Sequence, residues 1–303
     1  MNRIMISNGE GKNAKHPTAT FVRLQGRLGN QLFQLAIALN ISQKFEVQVL
    51  LEDYVATSKG FERFLFKELS VFDDFQYCSK LRSFAIRALH HPTLRKFYRP
   101  DNIFIEGENG NCELALARLY KSYTGFFQSP KFFPERARIL KAFSLKNEFI
   151  CEPLAKLLHL TEAAECLAVS VRRGDFIGLS HLGVCSNNYY LDAIALIQAR
   201  RTVDCIFVFS DDISYCRELL APLNCQVIYV EEFTPAKSLY LMSRCNHFVI
   251  ANSTFSWWGA WLSDYQDKLV ICPSPWNDGD AVSSDFIPLD WIKLPKHPRL
   301  TVS

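Results

Sequence analysis

Glu165-Cys166-Leu167-Ala168-Val169-Ser170-Val171-Arg172-Arg173-Gly174-Asp175 runs an apolar segment straight into two arginines, a glycine and an aspartate. A short apolar run bounded by polar turn residues reads as a strand buried on both faces. The same grammar continues downstream. Helix Asn187–Arg201 precedes strand Cys205–Phe209, helix Ile213–Leu220 and strand Val227–Val230. Helix Lys237–Cys245, strand Phe248–Ala251, helix Thr254–Tyr265 and strand Leu269–Cys272 follow. Strands alternating with helices specify a parallel sheet covered on both faces.

Upstream, Thr20–Gln25 reads as a strand and Gly26–Asn30 as a turn. Asn30–Phe45 carries Leu32, Leu35, Ala36 and Leu39 at helical spacing, and Glu46–Glu52 is a second strand. This is one βαβ unit. The expected architecture is α/β, with two Rossmann-like domains facing a cleft. Residues 1–17 form a disordered lead-in, 18–155 an N-terminal domain and 156–303 a C-terminal domain. The region Asp53–Ile150 shows no regular pattern. Ligand belongs at the carboxyl ends of such strands.

Composition narrows the function classes. The chain has 303 residues and a net charge of +3, too near neutral to advertise a nucleic-acid partner. With 49% hydrophobic and 21% charged residues, it is not a disordered chain. No run reaches the ~18 apolar residues that span a bilayer, and Met1–His16 lacks the apolar core of a signal peptide. The 10 cysteines include no Cys-x-x-Cys and no zinc-ligand spacing, so they read as buried thiols in a reducing compartment. The expected location is the cytoplasm.

Three loops at strand ends carry candidate chemistry. In Gly26-Arg27-Leu28-Gly29-Asn30-Gln31, glycines permit a tight turn, and the helix start offers N–H groups to an anion or a sugar. A plain turn with Asn30 as N-cap reads equally well. At Arg172-Arg173-Gly174-Asp175, two arginines suit a diphosphate, and strand alternation points them apart. The alternative is a structural pairing of one arginine with a carboxylate such as Asp175. In Asn252-Ser253-Thr254-Phe255-Ser256-Trp257-Trp258, hydroxyls at a helix start suit phosphate or nucleotide, while most of the aromatics read as core.

Together these loops resemble the bacterial α-1,2-fucosyltransferases. The family carries Gly-x-Leu-Gly-Asn-Gln, His-x-Arg-Arg-x-Asp and Asn-Ser-Thr-Phe-Ser-Trp-Trp-Gly-Ala segments, matched here by Gly26–Gln31, Ser170–Asp175 and Asn252–Ala260. Gly125–Ser129 and Phe207–Asp212 are two shorter matches. The His of the mid-chain motif is Ser170 in this chain. The resemblance implies a GT-B arrangement, GDP-β-L-fucose as donor, the 2-hydroxyl of a terminal galactoside as acceptor, inversion, and no required metal or other cofactor. The acceptor would be a galactose-terminated oligosaccharide or a lipid-linked glycan.

That reading assigns Arg172 and Asp175 to catalysis. Arg172 stabilises charge on the departing diphosphate, and Asp175 is either the base or a structural partner. Arg172, Arg173, Asp211, Asn252, Ser253, Thr254, Ser256 and Trp257 are the expected donor contacts, Arg173 being the better candidate for holding the loop. Gly26, Gly29, Asn30 and Gln31 form the N-terminal loop of the site. Asp278-Gly279-Asp280 matches an Asp-x-Asp metal pattern but reads as a turn. Lys80–Arg99 has six basic and no acidic residues among apolar ones, a composition suited to peripheral contact with an anionic membrane or to a solvated basic face.

Overall fold

The computed structural model describes residues 19–53, 65–78, 103–107, 112–279, 282 and 285–297. The expectations for residues 1–17, for Lys80–Arg99 and for Asp280 lie outside the described residues.

The first sheet uses β1 (Ala19–Leu24), β2 (Gln48–Asp53), β3 (Gln76–Tyr77), β4 (Ile103–Ile105) and β5 (Ser122–Thr124), with helices α1 (Leu28–Phe45), α2 (Cys112–Ala117) and α3 (Arg136–Ala142). Its strand order is β3-β2-β1-β5-β4, and every pairing is parallel. Helix α4 (Glu152–Ala163) leads into the second sheet. That sheet contains β6 (Cys166–Val171), β7 (Cys205–Ser210), β8 (Gln226–Tyr229), β9 (His247–Val249), β10 (Val270–Ser274) and β11 (Ile292–Pro295). Helices α5 (Asn187–Gln198), α6 (Ile213–Leu220), α7 (Pro235–Ser243) and α8 (Thr254–Leu262) connect its strands. The order is β11-β10-β9-β6-β7-β8, again all parallel.

Local chemistry explains the element ends. The side chains of Ser186, Asp212 and Thr234 each accept a backbone N–H from the first turn of α5, α6 and α7 respectively. All six residues of β6 are buried, as a central strand covered on both faces requires. Helix α1 starts at Leu28, two residues before the expected start. Gly26, at φ +75°, reverses the chain tightly enough for the helix to begin at once. The N-cap is therefore Arg27 rather than Asn30, and it makes no side-chain cap bond. Side chains within α1 satisfy the turn instead. Gln31 Nε2 donates to the Gly26 carbonyl at 3.1 Å, and Gln34 Oε1 accepts from the Gln25 N–H at 2.8 Å. Helix α8 stops at Leu262 because Ser263 turns extended, and Arg136 and Lys268 donate to its last carbonyls.

One apolar core runs through both halves. Phe33 of α1 lies 4.9 Å from the ring of Trp257 and 4.8 Å from that of Trp258, and Phe133 stacks on Trp258 at 5.0 Å. A second cluster, including Leu167, Val169, Tyr189, Ile194 and Ile206, covers the opposite face of the second sheet. Burying each such side chain contributes roughly 1.5–3 kcal/mol, so cleaving the halves apart would expose much of the fold's driving force. Polar ties reinforce the junction: Thr234 donates to Glu68, and Ser129 to Asp285.

Most of the described cysteines are buried free thiols, as expected. Burial pushes Cys185 up to about 11 and Cys272 to about 12, which keeps them protonated and unreactive. Among the described residues, no helix is long and apolar enough to cross a membrane.

Candidate active site

In each sheet one strand separates two runs of connections. In the second sheet β6→β7→β8 and β9→β10→β11 both move outward, whereas in the first β1→β2→β3 moves outward and β4→β5 comes back towards β1. Strand β1 has β2 on one side and β5 on the other, and β6 lies between β7 and β9. The loops leaving such strands splay apart and open a crevice at their carboxyl ends. Here the two crevices merge into one cavity of about 990 Å³. It is lined by Gly26, Arg27, Leu28, Gly29 and Asn30 from the first sheet, and by Ser170, Val171, Arg172, Asp175 and Asp211 from the second. Asn252, Ser253, Thr254 and Phe255 at the start of α8 also face it.

Charge in the cavity is organised around Arg172, whose side chain is 17% exposed. Its Nη2 meets Asp175 Oδ1 at 2.5 Å and its Nη1 meets Asp211 Oδ2 at 2.9 Å. From the opposite sheet, Arg27 Nη2 reaches Asp175 Oδ2 at 3.3 Å. Asp211 Oδ1 accepts the Arg173 backbone N–H at 3.0 Å, which ties β7 to the loop after β6. The alternation expected of a strand end holds: Arg172 faces the cavity and Arg173 turns away. Arg173 pairs with Asp212 at 3.1 Å and lies 3.8 Å over the Tyr215 ring, outside the cavity lining. Its expected donor contact is therefore corrected to the loop-holding role.

Three further assignments change for reasons of helix phase. The Ser256 side chain is buried, and its hydroxyl donates to the carbonyls of Ala251 and Ser253. Trp257 is also buried, with Nε1 donating to the Phe286 carbonyl at 2.9 Å. Neither lines the cavity, whereas Phe255, left among the core aromatics by sequence, does. Gln31 is buried as well and serves the turn beside it. Asn252 lines the cavity, yet its amide donates to the carbonyls of Leu182 and Gly183 at 2.9 and 3.1 Å. It holds the loop that walls this side.

Gly29 has a role different from the one its motif suggests. A Cβ there would come within 2.5 Å of the Phe255 backbone nitrogen and of Thr254 Oγ1. The close approach it permits is between α1 and α8. Asn30 Oδ1 accepts from Gln128 Nε2 at 3.1 Å, and both residues line the cavity. Gln128 belongs to the short Gly125–Ser129 match, a signal that sequence reading noted without assigning it a role. Leu65, Phe233 and Trp276 also line the cavity, and nothing in their sequence context marked them.

A smaller hollow of about 260 Å³ lies at the other end of α8, lined by Arg136, Trp261, Lys268 and neighbours. Its cations are spent on the helix carboxyl end. Burial, chiefly, lowers Lys268 to about 8. Asp278 of the Asp-Gly-Asp segment pairs with Lys296 at 2.9 Å and with His297 at 3.2 Å. No group of three or more metal-ligating side chains occurs among the described residues.

Comparison with known proteins agrees with this frame. An alpha-1,2-colitosyltransferase of Escherichia coli is 29% identical over 90% of this chain and 98% of its own length. The O-antigen biosynthesis glycosyltransferase WbnK of Escherichia coli is 31% identical, covering 89% of this chain and 99% of that protein. A rat galactoside alpha-(1,2)-fucosyltransferase 2 matches at 28% identity over 57% of this chain and 53% of its own length. Among solved structures, fucosyltransferase NodZ from Bradyrhizobium superposes with a TM-score of 0.54 at 15% identity, over 81% of this chain and 92% of that one. That likeness concerns the fold, which is two Rossmann-like domains facing a cleft, the GT-B arrangement. The model of glycosyl transferase family 11 matches residues 12–294, and with the cavity at both switch points the chain belongs to that family of glycosyltransferases.

Proposed function

We propose that the protein transfers L-fucose from GDP-β-L-fucose to the 2-hydroxyl of a terminal β-galactoside, with inversion, in the synthesis of an O-antigen-like glycan. The observation that carries this reading is Arg172, held between Asp175 and Asp211 at the carboxyl end of β6 beside the start of α8. As the anomeric bond to the β-phosphate oxygen breaks, its electron pair leaves with GDP. The acceptor oxygen forms the new bond and releases its proton. Arg172 meets the charge growing on the diphosphate, and the Ser253–Thr254 hydroxyls with the first N–H groups of α8 contact the same group. Asp175 and Asp211, which line the cavity beside Arg172, are the candidates to take up the proton.

In this reading, no divalent metal is required. Incubation with GDP-fucose and lactose, with and without EDTA, should yield an α-1,2-linked product by NMR in both cases. EDTA-sensitive turnover would overturn the metal-free assignment. No product from any of several galactosides, with GDP still bound, would make the chain a binding module. Similarity to the colitosyltransferase favours a second reading, in which colitose is the transferred sugar. Competing GDP-fucose against GDP-colitose decides between the donors. Peripheral attachment through Lys80–Arg99 belongs to the same proposal, and co-sedimentation with anionic liposomes at low salt tests it.

A further inference from the structure

The Asp175 carboxylate lies between two guanidiniums from opposite halves of the molecule, with one oxygen on each. Oδ1 meets Arg172 at 2.5 Å, and Oδ2 meets Arg27 at 3.3 Å. An anion is thus already held where the N-terminal loop and the β6 loop present cations to each other. Arg27 can reach across because the Gly26 turn places it at the N-cap of α1, where its side chain leaves the helix and enters the cleft. Its side chain is 55% exposed and lines the cavity. A phosphate offers the same pair of acceptor oxygens as a carboxylate, with more negative charge, and guanidinium binds it in the same forked geometry.

We propose that Arg27 is a second cation for the diphosphate of the sugar-nucleotide donor, and that Asp175 occupies the ligand's place until the donor arrives. The inference rests on the donor reading above. The incoming β-phosphate takes over the slot between Arg27 and Arg172. Asp175 is then released from both guanidiniums and stands free beside the reacting centre as the proton acceptor. Closing the slot with one cation from each half also makes diphosphate binding depend on both sheets.

Titration calorimetry with GDP and with GMP, which lacks the β-phosphate, tests this. In the Arg27→Met variant, GDP affinity should fall by about tenfold or more, while GMP affinity stays as in the wild type. Arg27→Lys should recover part of the loss. In Asp175→Asn, removal of the competing charge should tighten GDP binding even as turnover falls. Thermal unfolding of each variant verifies that the fold is kept. Equal GDP affinity in wild type and Arg27→Met would reduce Arg27 to a latch between the halves and overturn the proposal. A wild-type protein that binds neither nucleotide would instead remove the donor reading, and this inference with it.

Discussion

The indole Nε1–H of Trp258, in α8, donates to the backbone carbonyl of Gly29, in the first turn of α1, at 3.0 Å. Two motif segments from opposite ends of the chain thus meet helix end to helix end beside the cavity. The contact is close because Gly29 has no side chain. Gly29→Ala should destabilise the protein by about 2–4 kcal/mol, since the added carbon meets backbone that cannot yield. Trp258→Phe should cost about 1 kcal/mol, because the Gly29 carbonyl loses the indole hydrogen bond and keeps only its place in the α1 helix ladder. Denaturant midpoints at constant slope measure both. A Gly29→Ala protein as stable as the wild type would mean that the helices part easily.

Arg172→Ala should reduce turnover by about 100-fold or more while the protein stays folded. The guanidinium is at the cavity wall rather than in the apolar core, so its loss disturbs chemistry first. Steady-state rates with circular dichroism as the fold control test this. Near-wild-type rates would refute the assignment.

Serines three residues apart should behave oppositely. Ser253 lines the cavity, so Ser253→Ala should raise the donor KM and leave stability near wild type. The Ser256 hydroxyl is buried on two backbone carbonyls, so Ser256→Ala should lower stability by about 1 kcal/mol and leave KM unchanged. Trp257→Ala should be severe, at about 3–5 kcal/mol, because it empties the centre of the shared core. Kinetics and unfolding measured on the same three proteins would expose any exchange of these roles.

His247 contributes a pH dependence to folding on the acid side. Burial, chiefly, holds its imidazole below the ordinary value of 6.5, and Glu165 opposes the shift. Nδ1 accepts the Leu269 N–H at 3.1 Å, so the neutral ring is the form the fold needs. With the folded pKa depressed, its stabilising contribution is present above pH 6.5 and lost as pH falls through the folded value. Unfolding midpoints between pH 7.5 and 5 should decline for the wild type and flatten in His247→Gln. Parallel decline in both proteins would assign the acid limb to other groups.

The alternation of short apolar runs with helical spacing was enough to establish the second parallel sheet, one βαβ unit of the first, and the ends of the strands that matter. Strand Cys205–Phe209, helix Ile213–Leu220 and the start of α8 were legible, the strand to within one residue of β7, because strand and helix periods are local properties of the chain. That Arg172 and Arg173 point apart was legible for the same reason. The irregular stretch Asp53–Ile150 was not, because β3, β4 and β5 are 2 to 3 residues long and owe their strand form to pairing with neighbours.

Within the site, the sequence determined which residue types stand after β1, β6 and β9, and hence where ligand chemistry is possible. Only the tertiary structure decided which of them face the cavity. Ser253 and Ser256, or Phe255 and Trp257, look interchangeable as motif letters, yet the packing of α8 against α1 sends one of each pair to the cavity and the other to the core. Likewise, Asp175 acquires its place between two cations only when Arg27, 148 residues earlier in the sequence, crosses from the other sheet. Such contacts depend on the docking of whole elements. No local pattern in the chain encodes them.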